Sequence, residues 1–331
     1  MPPPMRPTLP PALPLLFLFA AACSSTDEVR REPAVEEAAT AREQDKNAKK
    51  YRDFRAVLVR LDQAMDSYVQ AVSNQGETRA DMQSERLYKL IQDTVLDRGA
   101  ARPDQVRPQP GETFARLRAM ATDGSDPDGQ GTALSALGFS GDAEVMPTIL
   151  QGAQLGDPFL VDRALFGLAV LRAPATPPGI FEAVILRPGH PEDGRVQAAW
   201  ALHRIQQTVT DQEPILAVWR RLLRDHRDAL PAGVLANAVR GLGFGRVPAD
   251  GALIGSFLKH PVPRVRMAAT IAVGRIKAQD QWPLLVDLLA PQETVQNVRL
   301  HARKALQELA GGTDHGYDVA AWRKTFDRGT R

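Results

Sequence analysis

A five-residue phrase, Ala-x-x-small-aliphatic, returns six times along this chain and limits its fold more than any other feature. It stands at Ala133 to Leu137, Ala164 to Leu168, Ala198 to Leu202, Ala238 to Leu242, Ala269 to Val273 and Ala302 to Leu306. The closing aliphatics lie 31, 34, 40, 31 and 33 residues apart, and a period of roughly 20–50 residues marks stacked structural repeats. A helix pair of that length cannot bury its apolar face alone, so neighbouring pairs must stack. The fourth position is always small (Ala136, Gly167, Ala201, Gly241, Ala272, Ala305), where bulk would hold adjacent helices apart. Bulk falls instead in a second helix of each unit: Phe181, Val184 and Ile185; Ile215, Val218 and Leu222; Leu253, Phe257 and Leu258; Leu284, Leu285 and Leu288. Each set is spaced to share one helical face. Pro147, Pro178, Pro214 and Pro283 fall near the first turns of these helices, where a missing N–H costs little. The fold class is all-α: a right-handed α-solenoid of about six helix pairs over residues 112–310, a C-terminal cap over 311–331, and a helical hairpin before the array.

Val265-Arg266 and Val298-Arg299, each followed by the repeated phrase, resemble HEAT repeats of the short bacterial type, similar to those called phycobilisome-lyase-like. The resemblance covers residues 112–310 and is strongest in the last two units. Earlier units depart from it: Gln197 follows Val196, and the unit at 234–242 has no Val-Arg pair before its Ala. The run from Thr313 to Trp322 also resembles the ending of bacterial HEAT proteins. The resemblance implies a helix-pair solenoid that binds other proteins. It also implies an enzymatic alternative, since some relatives of this kind are bilin lyases. The ankyrin and tetratricopeptide signatures are both absent.

Near the start, Met5-Arg6 followed by the apolar run Leu13 to Ala22 is too short for a membrane-spanning helix and reads as an export signal over residues 1–22. The run ends Phe19-Ala20-Ala21-Ala22-Cys23-Ser24, which resembles the lipobox of bacterial lipoproteins, with Ala20 where Leu is usual. That resemblance implies lipid attachment at Cys23, the single cysteine of the chain, and Ser24 after it favours the outer membrane. A secretory signal with a chance cysteine is the plainer alternative. Residues 23–48 carry almost no large apolar side chain, a composition expected to stay mobile and to span roughly 30 Å as a coil.

Tyr51, Phe54, Leu58, Leu61, Met65, Tyr68 and Val72 then alternate spacings of three and four, a heptad seam. A turn at Ser73 to Gly76 and a second helix with Leu87, Leu90, Ile91 and Val95 on one side predict an antiparallel hairpin over 49–100. A coiled-coil dimer through the same seam is the alternative. A Pro-rich joint, Arg102 to Gly111, leads into the array.

Few residue patterns point to chemistry. Asp123 to Gly129 misses two ligand positions of a calcium loop and reads as a solvated turn. Gly241 to Gly245 follows a helix, not a strand, so it is no dinucleotide fingerprint. No two of the six histidines are spaced as metal ligands on one helix face, and no nucleophile motif is present. The polar cluster around His315 reads as a cap, with Asp318 starting the last helix and Trp322 covering the open core. Arg264, Arg266, Arg299 and Arg303 recur at matching places and allow two readings, a basic ridge for an acidic partner or donors to loop carbonyls of the neighbouring unit. A net charge of +2 gives no nucleic-acid footprint. The expectation is therefore a lipid-anchored envelope protein of the outer membrane facing the periplasm, surface exposure being left open. It would act as a protein–protein scaffold, not an enzyme, with an unknown protein partner and no cofactor, metal or nucleic acid. The alternatives are a lyase-like enzyme or an envelope oligomer built through the heptad seam.

Overall fold

The structure, a computed structural model, describes residues 33–73, 78–97 and 111–329. The expected signal segment, Cys23, the first part of the expected tether and most of the Pro-rich joint lie outside them. Among the described residues there are fifteen α-helices and no strand. The chain divides into two compact units, residues 1–51 and 52–331.

Helix α1 (Pro33–Ser73) begins in the first unit and ends in the second. Where the composition suggests a mobile tether to residue 48, the chain is helical from Pro33. Residues 34–50 are rich in Ala, Glu, Lys, Arg and Gln, all strong helix formers. Polarity was a poor guide to order here, because a helix can stay exposed: residues 37–50 are all solvent-facing.

The second unit is the repeat array with its hairpin. After α2 (Thr78–Leu96) and α3 (Glu112–Met120) come six long first helices: α4 (Pro127–Leu137), α6 (Pro158–Leu171), α8 (Glu192–Gln206), α10 (Ala232–Gly245), α12 (Pro263–Ile276) and α14 (Gln296–Leu309). Between and after them lie α5 (Met146–Gly152), α7 (Gly179–Ile185), α9 (Glu213–Asp225), α11 (Gly251–Gly255), α13 (Trp282–Asp287) and α15 (Val319–Gly329). Proline stands in the first turn of α5, α9 and α13, and Pro178 is the N-cap of α7. Asp126 and Asp157 cap α4 and α6 by accepting from Gly129 N and Phe159 N, which satisfies donors a helix start leaves free.

The long helices stack on one another in order, α4 on α6 through to α14, and the small fourth position of the phrase is what allows it. Ala136, Ala201, Ala272 and Ala305 are 3% exposed or less. At the α10–α12 seam a Cβ on Gly243 would sit 2.6 Å from Ala272 Cβ, so only glycine fits. Gly241 faces the indole of Trp219 in α9. The buried Gln206 ties this junction together: it donates to Gly241 O (2.9 Å) and accepts from Trp219 Nε1 (3.0 Å). Phe181, Val184, Ile185, Ile215, Val218, Leu222, Phe257, Leu258 and Leu285 are buried as their spacing demands, whereas Leu253, Leu284 and Leu288 are half-buried.

Ion pairs bridge successive units. Arg220 of α9 donates Nε and Nη2 to Asp250, which precedes α11 (2.8 and 3.0 Å), and Arg221 reaches back to Glu182 of α7.

The heptad seam is covered by the chain itself. Phe54, Leu58, Leu61, Met65 and Tyr68 are buried in the same core as α2 and the first repeats. Arg116 of α3 lies 5.5 Å over the Phe54 ring, Asp62 pairs with Arg163 of α6 at 3.0 Å, and Tyr68 meets Phe139 edge-on at 5.1 Å. On α2, Ile91 and Val95 are buried and Leu87 half-buried, while Leu90, expected on the same side, is exposed. Tyr51, expected at the head of the seam, is also exposed. The seam is thus filled by intramolecular packing, which leaves a second copy no seam to join. No helix of the described residues is long and apolar enough to cross a membrane.

Candidate binding groove on the long-helix face

Within the repeated phrase, the position two residues after the Ala points away from the packed seam. From the second unit onward it gives Phe166, Trp200, Arg240, Ile271 and Lys304, while in α4 the equivalent Ser135 is buried and donates to Arg163 O. Residues three, four or seven away share that helix face: Phe159 and Arg163 on α6, Asp193, Gln197 and Arg204 on α8, Asn237 on α10, Arg264 and Arg275 on α12, His301 and Glu308 on α14. The face changes character along its length, from aromatic at α6 and α8 to cationic from the end of α8 onward.

The aromatic part is continuous. Tyr68 and Tyr88 meet Phe139, Phe139 meets Phe166 at 6.1 Å, and Phe166 stacks on Trp200 at 6.4 Å and 10°. Arg204 lies 5.6 Å over the Trp200 ring. Its Nε is buried and has no hydrogen-bond partner.

Beyond Trp200 the end of α1 and the long helices enclose a cleft of about 610 Å³, with Val69 and Val72 on one side and Phe166, Val196, Trp200, Arg240 and Arg264 on the other. The half-buried Arg240 has a single weak side-chain contact, Nη1 to Asn237 Oδ1 at 3.4 Å. Burial, and then the charges of Arg264 and Arg275, push its guanidinium pKa down. A second cavity of about 480 Å³ follows between α12 and α14, lined by Arg246, Arg275, Lys277, His301, Lys304 and Glu308 among others. His203, beside this face, is held at about 4, first by burial and then by Arg240 and Arg275.

The loops that leave the long helices share one backbone oddity. Four residues after the closing aliphatic, Gly141, Arg172, Arg246 and Lys277 all take positive φ, at 70°, 49°, 55° and 55°. Glycine adopts this left-handed conformation freely, whereas other L-residues pay about 1–2 kcal/mol. Three units nevertheless carry a cation there, and each of the three lines a cavity on this side of the molecule.

The four arginines expected as a ridge do not form one, although Arg299 and Arg303 both lie over the Tyr317 ring. Arg266 donates to both Glu293 oxygens (2.7 and 2.9 Å) and to the carbonyls of His260 and Pro261. Arg299 donates to Leu289 O and stacks over Tyr317. Arg303 pairs with Asp314, whose carboxyl it holds at about 2. Only Arg264 reaches the groove. At the C-terminus Asp318 accepts from Ala321 N at the start of α15, and the buried Trp322 donates to Gly316 O. The His315 ring contacts Thr325 and the Trp322 ring, while Asp318 meets His315 through the backbone, its N–H donating to His315 O at 3.2 Å. Cys23 lies outside the described residues. Asp123 and Asp126 accept from backbone N–H groups of their own turn. Among the described residues no group of three or more His, Cys, Asp or Glu is placed to hold a metal ion.

Sequence reasoning missed Trp200, Arg204, Arg240 and Arg275. The signal was partial: Trp200 and Arg240 hold the third position of the repeated phrase, and Arg204 and Arg275 follow that position by four residues, which marks a shared helix face but not what covers it.

No protein-family model matches the sequence, and no curated protein matches it. Solved structures of similar helical fold include an engineered protein (TM-score 0.44, 17% identity, 61% of this chain and 98% of that one). They also include the complex of CpcE and CpcF of phycocyanin lyase from Nostoc sp. PCC7120 (0.34, 16%, 79% and 94%) and a mutant of Kap121p (0.26, 12%, 80% and 40%). The fold is a helical-repeat array, and likeness at this level carries nothing about activity. One expectation is corrected by it. A phycocyanin lyase complex stands among structures of similar fold, so "not an enzyme" does not follow from a helical-repeat architecture, and that reading is withdrawn.

Proposed function

We propose that this chain is a lipid-anchored protein of the bacterial cell envelope that binds a partner protein along the face of its long helices. The single observation that carries the binding role is the row from Phe166 to Lys304 with its two cavities, in which only the aromatic end, Phe166 against Trp200, also helps to join units. Helical arrays serve binding because successive units extend one surface, and mixed aromatic and arginine residues dominate energetically important interfaces. The anchor rests on the lipobox-like run ending at Cys23, followed by Ser24, which favours the outer membrane.

A photo-crosslinking residue placed in the full chain tests the binding role in living cells. At Trp200 or Ile271 it should capture a discrete partner, and at Arg224, exposed on α9, it should not. Equal capture at all three positions, or none at any, sinks the reading. For the anchor, Cys23→Ser should move the protein from the membrane fraction to the soluble one, and an unchanged fractionation refutes it.

A further inference from the structure

The groove carries an excess of positive charge that the fold itself does not use. Four arginines outside the groove are matched by carboxylates: Arg220 with Asp250, Arg221 with Glu182, Arg266 with Glu293 and Arg303 with Asp314. Arg240 and Arg264, which line the cleft, have no carboxylate partner among the described residues, and Arg240 faces two further arginines. Among the described residues Asp193 is the single acid that lines the cleft. A half-buried guanidinium among like charges is costly unless an anion completes it.

The backbone adds an independent observation. The left-handed positions held by Arg172, Arg246 and Lys277 are strained relative to glycine, and such strain persists at sites where a side chain is required. Stability alone would favour glycine there, as at Gly141. Two of the three, Arg246 and Lys277, line the neighbouring cavity between α12 and α14 and carry positive charge beyond the cleft.

We propose that the cleft between α1 and helices α8, α10 and α12 binds an acidic peptide segment of a partner protein, its carboxylates paired with Arg240 and Arg264 and an apolar side chain laid on Trp200. This deepens the scaffold reading above and rests on it. Arginine forks match carboxylates in bidentate geometry, and the Phe166–Trp200 surface beside them supplies the apolar contact that a bare anion would not need. A peptide fits better than a membrane surface, because the charges lie inside a cleft walled by Val69 and Val72 instead of on a protruding edge.

The test is titration of the purified full chain with a fluorescent peptide of alternating Glu and Leu. Its Gln-and-Leu twin and vesicles containing phosphatidylglycerol are the comparisons. The acidic peptide should bind and the twin should not, and binding should weaken as salt is raised from about 0.05 to 0.5 M. Arg240→Gln combined with Arg264→Gln should weaken binding about tenfold or more, while Arg224→Gln leaves it unchanged. Thermal unfolding of each variant checks the fold. Should the double variant unfold, Arg264→Gln alone decides, since that side chain is exposed. Equal binding of both peptides, wild-type affinity in the arginine variants, or arginine-dependent binding of the vesicles alone would overturn the proposal. If groove crosslinks persist in cells while the arginine variants bind normally, only this inference falls. If the crosslinks are absent, the scaffold reading falls as well.

Discussion

The two faces of a repeat helix make different demands on single residues. Ala272 sits on the packed side, 1% exposed and pressed against Gly243 of the preceding long helix. Ala272→Leu should therefore destabilise the array by about 1–3 kcal/mol through overpacking, seen as a lower denaturation midpoint. The same change at Ile271, one residue away on the open side, should cost less than about 0.5 kcal/mol. His203 makes a different demand. Its folded pKa of about 4 lies below the ordinary 6.5, so the unfolded chain takes up a proton that the folded chain refuses. Stability is complete above about pH 6.5 and falls as pH drops toward 4, by roughly 2–3 kcal/mol from this residue. Denaturation at pH 7 and pH 4.5 checks it: His203→Gln should lose visibly less stability over that interval than the parent, and equal losses would assign the acid sensitivity elsewhere.

Elements are joined by charge as well as by apolar packing. Asp250 is 2% exposed and depends on Arg220 from the preceding unit. Arg220→Met should cost about 3 kcal/mol because it strands a buried carboxylate, and Asp250→Asn in the same background should recover part of that loss. Equilibrium unfolding of the two variants is the measurement. The repeated elements themselves were legible in the sequence, because small residues at the helix crossing and prolines in the first turns are imposed by local packing. The groove was not. Whether an x position such as Arg240 faces solvent, a partner or α1 depends on which elements meet in three dimensions, and no local spacing records that. The α1 seam shows the same limit. Its heptads mark an apolar stripe, and the same stripe serves a hairpin, a dimer or, as found, a berth against the first repeats. Residues 33–48 were misjudged for another reason: polarity reports burial, and an exposed helix of good helix formers needs none.

For the whole molecule the hairpin is part of the array's core, and its stability should spread only to its neighbours. Helical arrays behave as nearly one-dimensional systems in which each unit feels the next. Leu61 is 1% exposed, and Leu61→Ala should cost about 2–4 kcal/mol. Hydrogen exchange should then quicken in α2, α4 and α6 and stay unchanged in α12 and α14. Uniform acceleration along the chain would mean that the array melts as one block and would contradict the picture of separable units.

The row Phe166, Trp200, Arg240, Ile271, Lys304 has a consequence for how such a protein changes over time. Phe166 and Trp200 are tied into the core, but farther along the row, at Ile271 and Lys304, a substitution alters what the surface displays with little penalty in folding. Recognition is then written as an ordered string of side chains, one per unit. It can be edited letter by letter, or lengthened by duplicating a unit, while the grammar of the fold stays fixed.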